Sequence, residues 1–280
     1  MTNQTLLHTR GWLFTPATRP EHFAKALAVN ADVLIIDLED AIAPADKDSA
    51  RATALKYLAA PGEGGIARAL RVNALDTAAG LADLSGLLAS PAVPDFIVLP
   101  KTESAAHLRI LDNLLTRSGK AARLVGLIES AAGLAAVETI AKATQRLCAL
   151  MFGAADMAAD LGAATAWEPL YGARSHLVAA CAQGGVLAID APFFNVRDEV
   201  GLKQEVATAV ALGFGAKAAI HPTQIAAINA ALTPTAAAVE KARSILAENA
   251  KGVGTIDGQM IDEAIARKAR RILAAAGLEA

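Results

Sequence analysis

Eight short apolar runs recur along the 280-residue chain, separated by Ala- and Leu-rich stretches of helical period. They occupy residues 11–16, 33–40, 66–73, 95–101, 123–130, 146–153, 186–193 and 217–224. Their cores are continuous rather than alternating, as in strands buried on both faces. Helical stretches at 21–29, 45–59, 103–116, 133–143, 173–183 and 200–212 lie between them. Strand–helix alternation implies parallel strands joined by right-handed crossovers. Eight such units predict a closed (β/α)8 TIM barrel. The alternative is an open doubly wound sheet, but no GxGxxG follows the first run.

A barrel needs about 250 residues or fewer. Residues 1–232 are therefore assigned to the barrel and 233–280 to a C-terminal helical arm or lid. In that arm Thr233 is expected to cap a helix with Pro234 in its first turn, ending near Asn249. A glycine-rich loop, Lys251–Gly258, then leads to a final helix over about 261–276. Arg267, Lys268, Arg270 and Arg271 in that helix read as a solvated face.

Composition narrows the class of protein. Hydrophobic residues make up 54% and charged residues 19%, too apolar and too weakly charged for a disordered chain. A net charge of −2, from 26 basic and 28 acidic residues, offers no footprint for nucleic acid or an anionic membrane. The two cysteines, Cys148 and Cys181, lie in apolar runs without metal spacing, which argues against a disulfide scaffold or structural zinc. No apolar run approaches the ~20 residues of a membrane-spanning helix. The first ten residues lack a signal-peptide layout. The expectation is a cytoplasmic globular protein.

The strand ends carry the chemistry. At or just past them stand Thr15, Glu39 and Asp40, Arg71 and Asn73, Lys101, Glu129, Asp156, Asp190 and His221. In a barrel these fall near one rim, where barrel enzymes place their active sites. Glu129 and Asp156 follow neighbouring strands and could share one ion. With no His or Cys beside them, the implied ion is a hard cation, Mg2+ with Mn2+ as a substitute. Other roles compete: Asp156 capping a helix that begins near Met157, and Glu129 in a buried ion pair with Arg71 or Lys101. Arg71 offers a fork for a carboxylate or a developing enolate oxygen, or an ion pair with Glu39 or Asp40. His221, before Pro222, is expected to hold loops together by hydrogen bonds.

Several stretches together carry a family resemblance. They are RGWLFTPATRPEHFAKAL, DVLIIDLEDAIAPADKDSAR, RVNAL, FIVLPKTES, GLIESAAG and LMFGAADMAADLG, then LAIDAPFFNVRDEVGL, GFGAKAAIHPTQI and DGQMID. In this order they resemble the citrate lyase β-subunit-like branch of the HpcH/HpaI aldolase superfamily, which includes malyl-CoA and citramalyl-CoA lyases. The resemblance implies a barrel that binds Mg2+ and cleaves a 3-hydroxyacyl-CoA into a 2-keto acid and an acyl-CoA, in a homotrimer or hexamer. It matches Glu129 and Asp156 to the metal ligands, and Arg71 to the substrate-binding and catalytic arginine. Phe14, Arg19 and Lys25 match positions that contact CoA. Asp262 matches a catalytic acid donated to a neighbouring subunit, although it could simply cap the final helix. The chain departs from the family pattern in two places: Ala17 replaces a glycine, and Glu263 and Ala264 stand where a proline often follows. Alternatives are a citrate lyase β subunit acting on a carrier-bound citryl thioester, a CoA-independent 2-keto acid aldolase, and a ligand-binding scaffold without activity.

Overall fold

The computed structural model describes residues 9–62, 64–252, 254–256 and 259–278. Eight parallel strands close into a barrel in sequence order, with the last paired to the first. They are β1 (Gly11–Pro16), β2 (Val33–Asp37), β3 (Ala67–Arg71), β4 (Phe96–Leu99), β5 (Arg123–Ile128), β6 (Leu147–Phe152), β7 (Leu187–Asp190) and β8 (Ala216–Ala219). Helices α1 (Phe23–Ala28), α2 (Lys47–Ala59), α3 (Ala78–Ala89) and α4 (Ala105–Arg117) cover the first half. The second half carries α5 (Ala131–Ala135), α6 (Val137–Ile140), α7 (Ala154–Leu161), α8 (Trp167–Gly184), α9 (Glu199–Leu212) and α10 (Ile225–Leu232).

Alternation along each strand divides the core in two. Trp12, Val33, Ile35, Ala67, Phe96, Val125, Met151 and Ile189 fill the barrel, and Leu13, Leu34, Ile36, Leu70, Ile97 and Leu150 pack outward on the helices. Both faces are apolar because both are buried, which is why the runs read as continuous. Both cysteines are buried and unpaired.

The same alternation moves one expected rim residue. Leu187 and Ile189 point into the barrel, so Asp190 points out between sheet and helices. It is fully buried there, 2.9 Å from Arg174 Nε on α8 and 2.5 Å from Lys217 Nζ on β8. Lys217 also donates to Glu205 on α9 at 2.8 Å and to the Ala191 carbonyl at 2.7 Å. The Arg174 guanidinium lies between the rings of Phe152 and Trp167. Burial works against the Asp190 charge, but Lys217 and Arg174 prevail and hold its carboxyl below the usual range. Asp190 is thus a strut between barrel and helices, not a rim group. Asn73 is also structural: it donates to Asp83 at 2.6 Å and to the Leu38 carbonyl at 2.9 Å.

Past Leu232, helix α11 (Ala236–Asn249) packs on α12 (Glu263–Ala275) around their own small core of Ala242, Ile245, Ile261, Ala269 and Leu273. The cap of α11 is Thr235, which accepts from the Ala238 amide; Thr233 instead ends α10. An antiparallel pair, β9 (Gly254–Ile256) and β10 (Gln259–Ile261), joins the two helices where a loop is expected. Val253, Asp257 and Gly258 of that segment lie outside the described residues. Among the described residues no helix is long and apolar enough to cross a membrane.

Removing one member of a buried ion network leaves the others unpaired, at a cost of about 3–5 kcal/mol. Asp190→Asn is expected to lower the free energy of unfolding by about that much, measured by equilibrium denaturation. A loss below about 1 kcal/mol would show that the network does not brace the fold.

Candidate active site

A cavity of about 540 Å³ opens at the C-terminal ends of the strands. Its wall takes Phe14 and Pro16 from β1, Asp37 from β2 and Arg71 from β3, then Glu129, Gly153 and Asp156 from the turns after β5 and β6. Leu127, Met151, Phe152, Pro192, Phe194 and Ile220 contribute apolar surface. The expected site residues Arg71, Glu129, Asp156 and Phe14 therefore meet in one place.

Arg71 is buried and held on several sides. Its Nε and Nη2 donate to the two oxygens of Asp37 at 2.6 and 2.7 Å. Nη1 lies 2.8 Å from Glu39 and 3.3 Å from Asp40. The guanidinium stacks over the Phe14 ring at 4.8 Å. Burial disfavours its charge, but Asp37, Glu39 and Asp40 keep it firmly protonated. The planar fork is thus spent on Asp37, which orients the arginine, and the Nη1 side is the part turned to the other acids. The loop after β2 is fixed by Lys47, which donates to the Leu38 and Glu39 carbonyls and to Asn73 at 2.7–2.8 Å.

Glu129 is buried at the end of β5. One oxygen, Oε1, accepts from the Lys101 amide at 2.8 Å. Burial pushes its carboxyl up to about 8, and the nearby Glu39 and Asp156 charges push the same way. Asp156 lies in the first turn of α7, two residues past Ala154; Gly153 is the N-cap, so Asp156 does not cap a helix starting at Met157. Gly153 is required here. A Cβ on it would stand 2.5 Å from Glu129 Cβ and 2.7 Å from Oε2. The chain leaves that space beside the second Glu129 oxygen, in a cavity that Asp156 also lines.

These observations fit a hard divalent cation. Two carboxylates line one cavity, Glu129 raised in pKa chiefly by its burial, in a cradle kept clear by glycine. Among the described residues no group of three or more His, Cys, Asp or Glu is arranged to hold a metal. Oxygen pairs with room for water or substrate suit Mg2+.

The remaining expected residues lie elsewhere. Arg19 and Lys25 are exposed, on the segment after β1 and on α1; Arg19 Nη1 is 3.8 Å from Glu21. Asp262 is exposed and accepts from the Ile265 amide at 3.0 Å as the N-cap of α12. Neither Arg19, Lys25 nor Asp262 lines the cavity. His221 is exposed; it accepts from the Thr223 amide while Gln224 accepts from the His221 amide and donates to the Phe193 carbonyl. The bonds of His221 therefore stay within its own turn, and Gln224 rather than His221 reaches the next loop. Glu39 and Lys101 stand at strand ends, as expected of the rim, and meet as an ion pair at 2.8 Å. Asp37, the partner of Arg71, is the residue the sequence did not mark out; its place among the three acids of DLED was the available signal.

The HpcH/HpaI aldolase/citrate lyase family model matches residues 10–222. An L-malyl-CoA/β-methylmalyl-CoA lyase of Rhodobacter capsulatus is 37% identical, covering 93% of this chain and 92% of its own. The crystal structure of RipC from Yersinia pestis is 55% identical, with a TM-score of 0.74, covering 82% of this chain and 98% of its own. CitE from Mycobacterium tuberculosis, crystallised with magnesium, acetoacetate and coenzyme A, is 34% identical with a TM-score of 0.80, covering 96% and 98%.

The raised Glu129 carboxyl sets a pH dependence. The folded state holds this proton more tightly than the unfolded chain, so its contribution to metal-free stability is full at acidic pH and is lost as pH rises through about 8. An ion must displace that proton. Mg2+ affinity of the substrate-free protein is therefore expected to weaken about tenfold per unit as pH falls below that value, read by calorimetric titration. A flat profile would contradict the assignment.

Proposed function

The chain belongs to the HpcH/HpaI aldolase/citrate lyase family, and we propose that it is a Mg2+-dependent carbon–carbon lyase acting on a 3-hydroxyacyl-CoA. The products are a 2-keto acid and an acyl-CoA. The observation that carries this reading is the pairing of Glu129 with Asp156 beside buried Arg71 in the barrel mouth. Two relatives support the substrate class: CoA appears with magnesium in the CitE crystal, and the R. capsulatus relative is named for malyl-CoA thioesters.

Glu129 and Asp156 would hold the ion, which would supply positive charge to the substrate's oxygens and lower the pKa of its hydroxyl. Arg71 faces the thioester carbonyl and stabilises negative charge on it as the carbon–carbon bond breaks, the oxyanion-hole type of contribution. The apolar wall keeps water from the enolate. Phe14, Arg19 and Lys25 serve the CoA portion: Phe14 inside the mouth, the two exposed cations outside it near the phosphates. Asp262 gives the enolate carbon its proton and, in reverse, removes it. Because it stands away from its own barrel's cavity, residues 233–280 act as a lid over the mouth of a neighbouring subunit in a homo-oligomer, a trimer or hexamer. The protein works in the cytoplasm, where acyl-CoA substrates are made.

Purified protein with Mg2+ is expected to cleave at least one of malyl-, citramalyl- and citryl-CoA and to leave the free hydroxy acids untouched. Glu129→Gln is expected to abolish that turnover. Arg71→Lys is expected to lower it strongly, because an ammonium cannot hold Asp37 and face the substrate together. Cleavage of a carrier-bound thioester alone would move the protein to a citrate lyase complex. Activity on free acids would point to a CoA-independent aldolase.

Subunit mixing tests the lid. Asp262→Ala alone is expected to lose about 10²–10⁴-fold in rate, the usual worth of a general acid, whereas Asp262→Ser would be nearly harmless if the residue only capped α12. Co-assembled Asp262→Ala and Glu129→Gln subunits are expected to regain part of the activity. No recovery in verified mixed oligomers would rule out a shared site.

A further inference from the structure

Among the described residues only Asn30 and Lys101 are non-glycines with positive φ, and Lys101 sits at the barrel mouth with φ of +46°. Asparagine enters this left-handed region readily; lysine does not. Strain of this kind in a cleft points to a use for the residue that adopts it. The turn brings two consecutive amides round to β5: Lys101 N–H donates to Glu129 Oε1 at 2.8 Å, and Thr102 N–H donates to the Leu127 carbonyl at 3.1 Å. A glycine would make that turn without strain. What lysine adds is its ammonium, which donates to Glu39 Oε1 at 2.8 Å.

We propose that Lys101 is a positioning residue that keeps Glu39 off the metal, so that the ion takes two protein carboxylates and leaves its other positions to substrate. The proposal rests on Glu129 and Asp156 being the metal pair. Glu39 is buried, and one residue ties it to that pair: Lys101 holds Glu39 Oε1 with its ammonium and Glu129 Oε1 with its amide. A divalent cation would attract it as a third ligand. Its Oε2 lies 2.8 Å from Arg71 Nη1 but accepts no aligned hydrogen bond there, and the aligned bonds of that guanidinium go to Asp37 and Asp40. The Lys101 ammonium therefore supplies the directed bond that anchors the Glu39 carboxylate. The lysine side chain is 46% exposed, so this ion pair adds little to stability and does not offset the backbone strain through the fold. A third carboxylate would bind the ion more tightly while occupying a position the substrate oxygens need. Lys101 thus opposes metal affinity and favours turnover.

The test titrates Mg2+ calorimetrically into substrate-free wild type, Lys101→Met, Lys101→Arg and the double variant Lys101→Met/Glu39→Gln. Thermal melts without metal and turnover at saturating Mg2+ accompany it, on whichever CoA thioester the wild type cleaves. Lys101→Met is expected to bind Mg2+ about tenfold more tightly and to turn over at least about tenfold more slowly. The double variant returns to the weaker affinity, and Lys101→Arg stays near wild type in both. Lys101→Gly, which suits the left-handed backbone, carries the same expectation as Met and guards against a misfolded variant. An unchanged or weaker Mg2+ affinity in Lys101→Met and Lys101→Gly, or an unchanged turnover, overturns the proposal. If Glu129→Gln binds Mg2+ as wild type does, the metal pair itself is wrong, a separate outcome.

Discussion

A guanidinium buried at the barrel mouth is the contact on which the site is built. Arg71 and Asp37 face each other in register across β2 and β3, and the arginine fork closes on the aspartate with two short bonds. Without that cation Asp37 and Glu39 would be buried negative charges with little to offset their desolvation. With it, each further acid is placed by a group already held. Glu39 lies between Arg71 and Lys101, Glu129 takes the Lys101 amide, and the Gly153 turn, whose amide donates to the Ile128 carbonyl, carries Asp156 across from Glu129. The Phe14 ring beneath the guanidinium supplies a flat apolar floor.

Much of this was legible in the sequence because it follows from period and order. Eight continuous apolar runs alternating with helical stretches specify a closed parallel barrel, and polar strand ends mark its working rim. Glu129 and Asp156 were readable because they end neighbouring runs with no nitrogen or sulfur ligand beside them. Three features were not readable, each for a physical reason. Asp190 ends a run as Glu129 nearly does, but one step of alternation turns it outward, to partners on α8, β8 and α9 that lie 12 to 27 positions away along the chain from one member or another of the network. The left-handed turn at Lys101 has no signature, since lysine does not favour it and no glycine announces it. The Thr233-Pro234-Thr235 stretch offers two capping hydroxyls, and only packing chooses Thr235.

The C-terminal arm was legible as helices but not as a unit. Helices α11 and α12 bury Ala242, Ile245, Ala269 and Leu273 against each other in a cluster separate from the barrel's cores. Arg10 reaches back to Thr233 at 2.7 Å and so pins the root of the arm to β1. Such a pair keeps a core of its own, which is what the proposed lid requires. Asp262 sits where β10 meets α12, with one oxygen committed to the Ile265 amide. Capping and proton transfer are compatible in one carboxylate, because the cap uses a single oxygen and fixes the direction of the other.

Charge explains why so acidic a mouth suits an enolate reaction. Five carboxylates, Asp37, Glu39, Asp40, Glu129 and Asp156, surround two cations, Arg71 and Lys101. Metal-free, the excess negative charge is relieved by protonating Glu129, whose carboxyl burial has already pushed up to about 8. In the proposed reaction a divalent ion would replace that proton and cancel most of the excess. The site would then be close to balanced before substrate arrives, and new negative charge on the thioester oxygen would find its stabilisation at Arg71. That arginine cannot turn away to another partner as the charge develops, because Asp37 holds its fork and Phe14 its face. A donor fixed in place before the reaction costs nothing to reorganise during it, and this fixity is what the buried Arg71–Asp37 pair contributes.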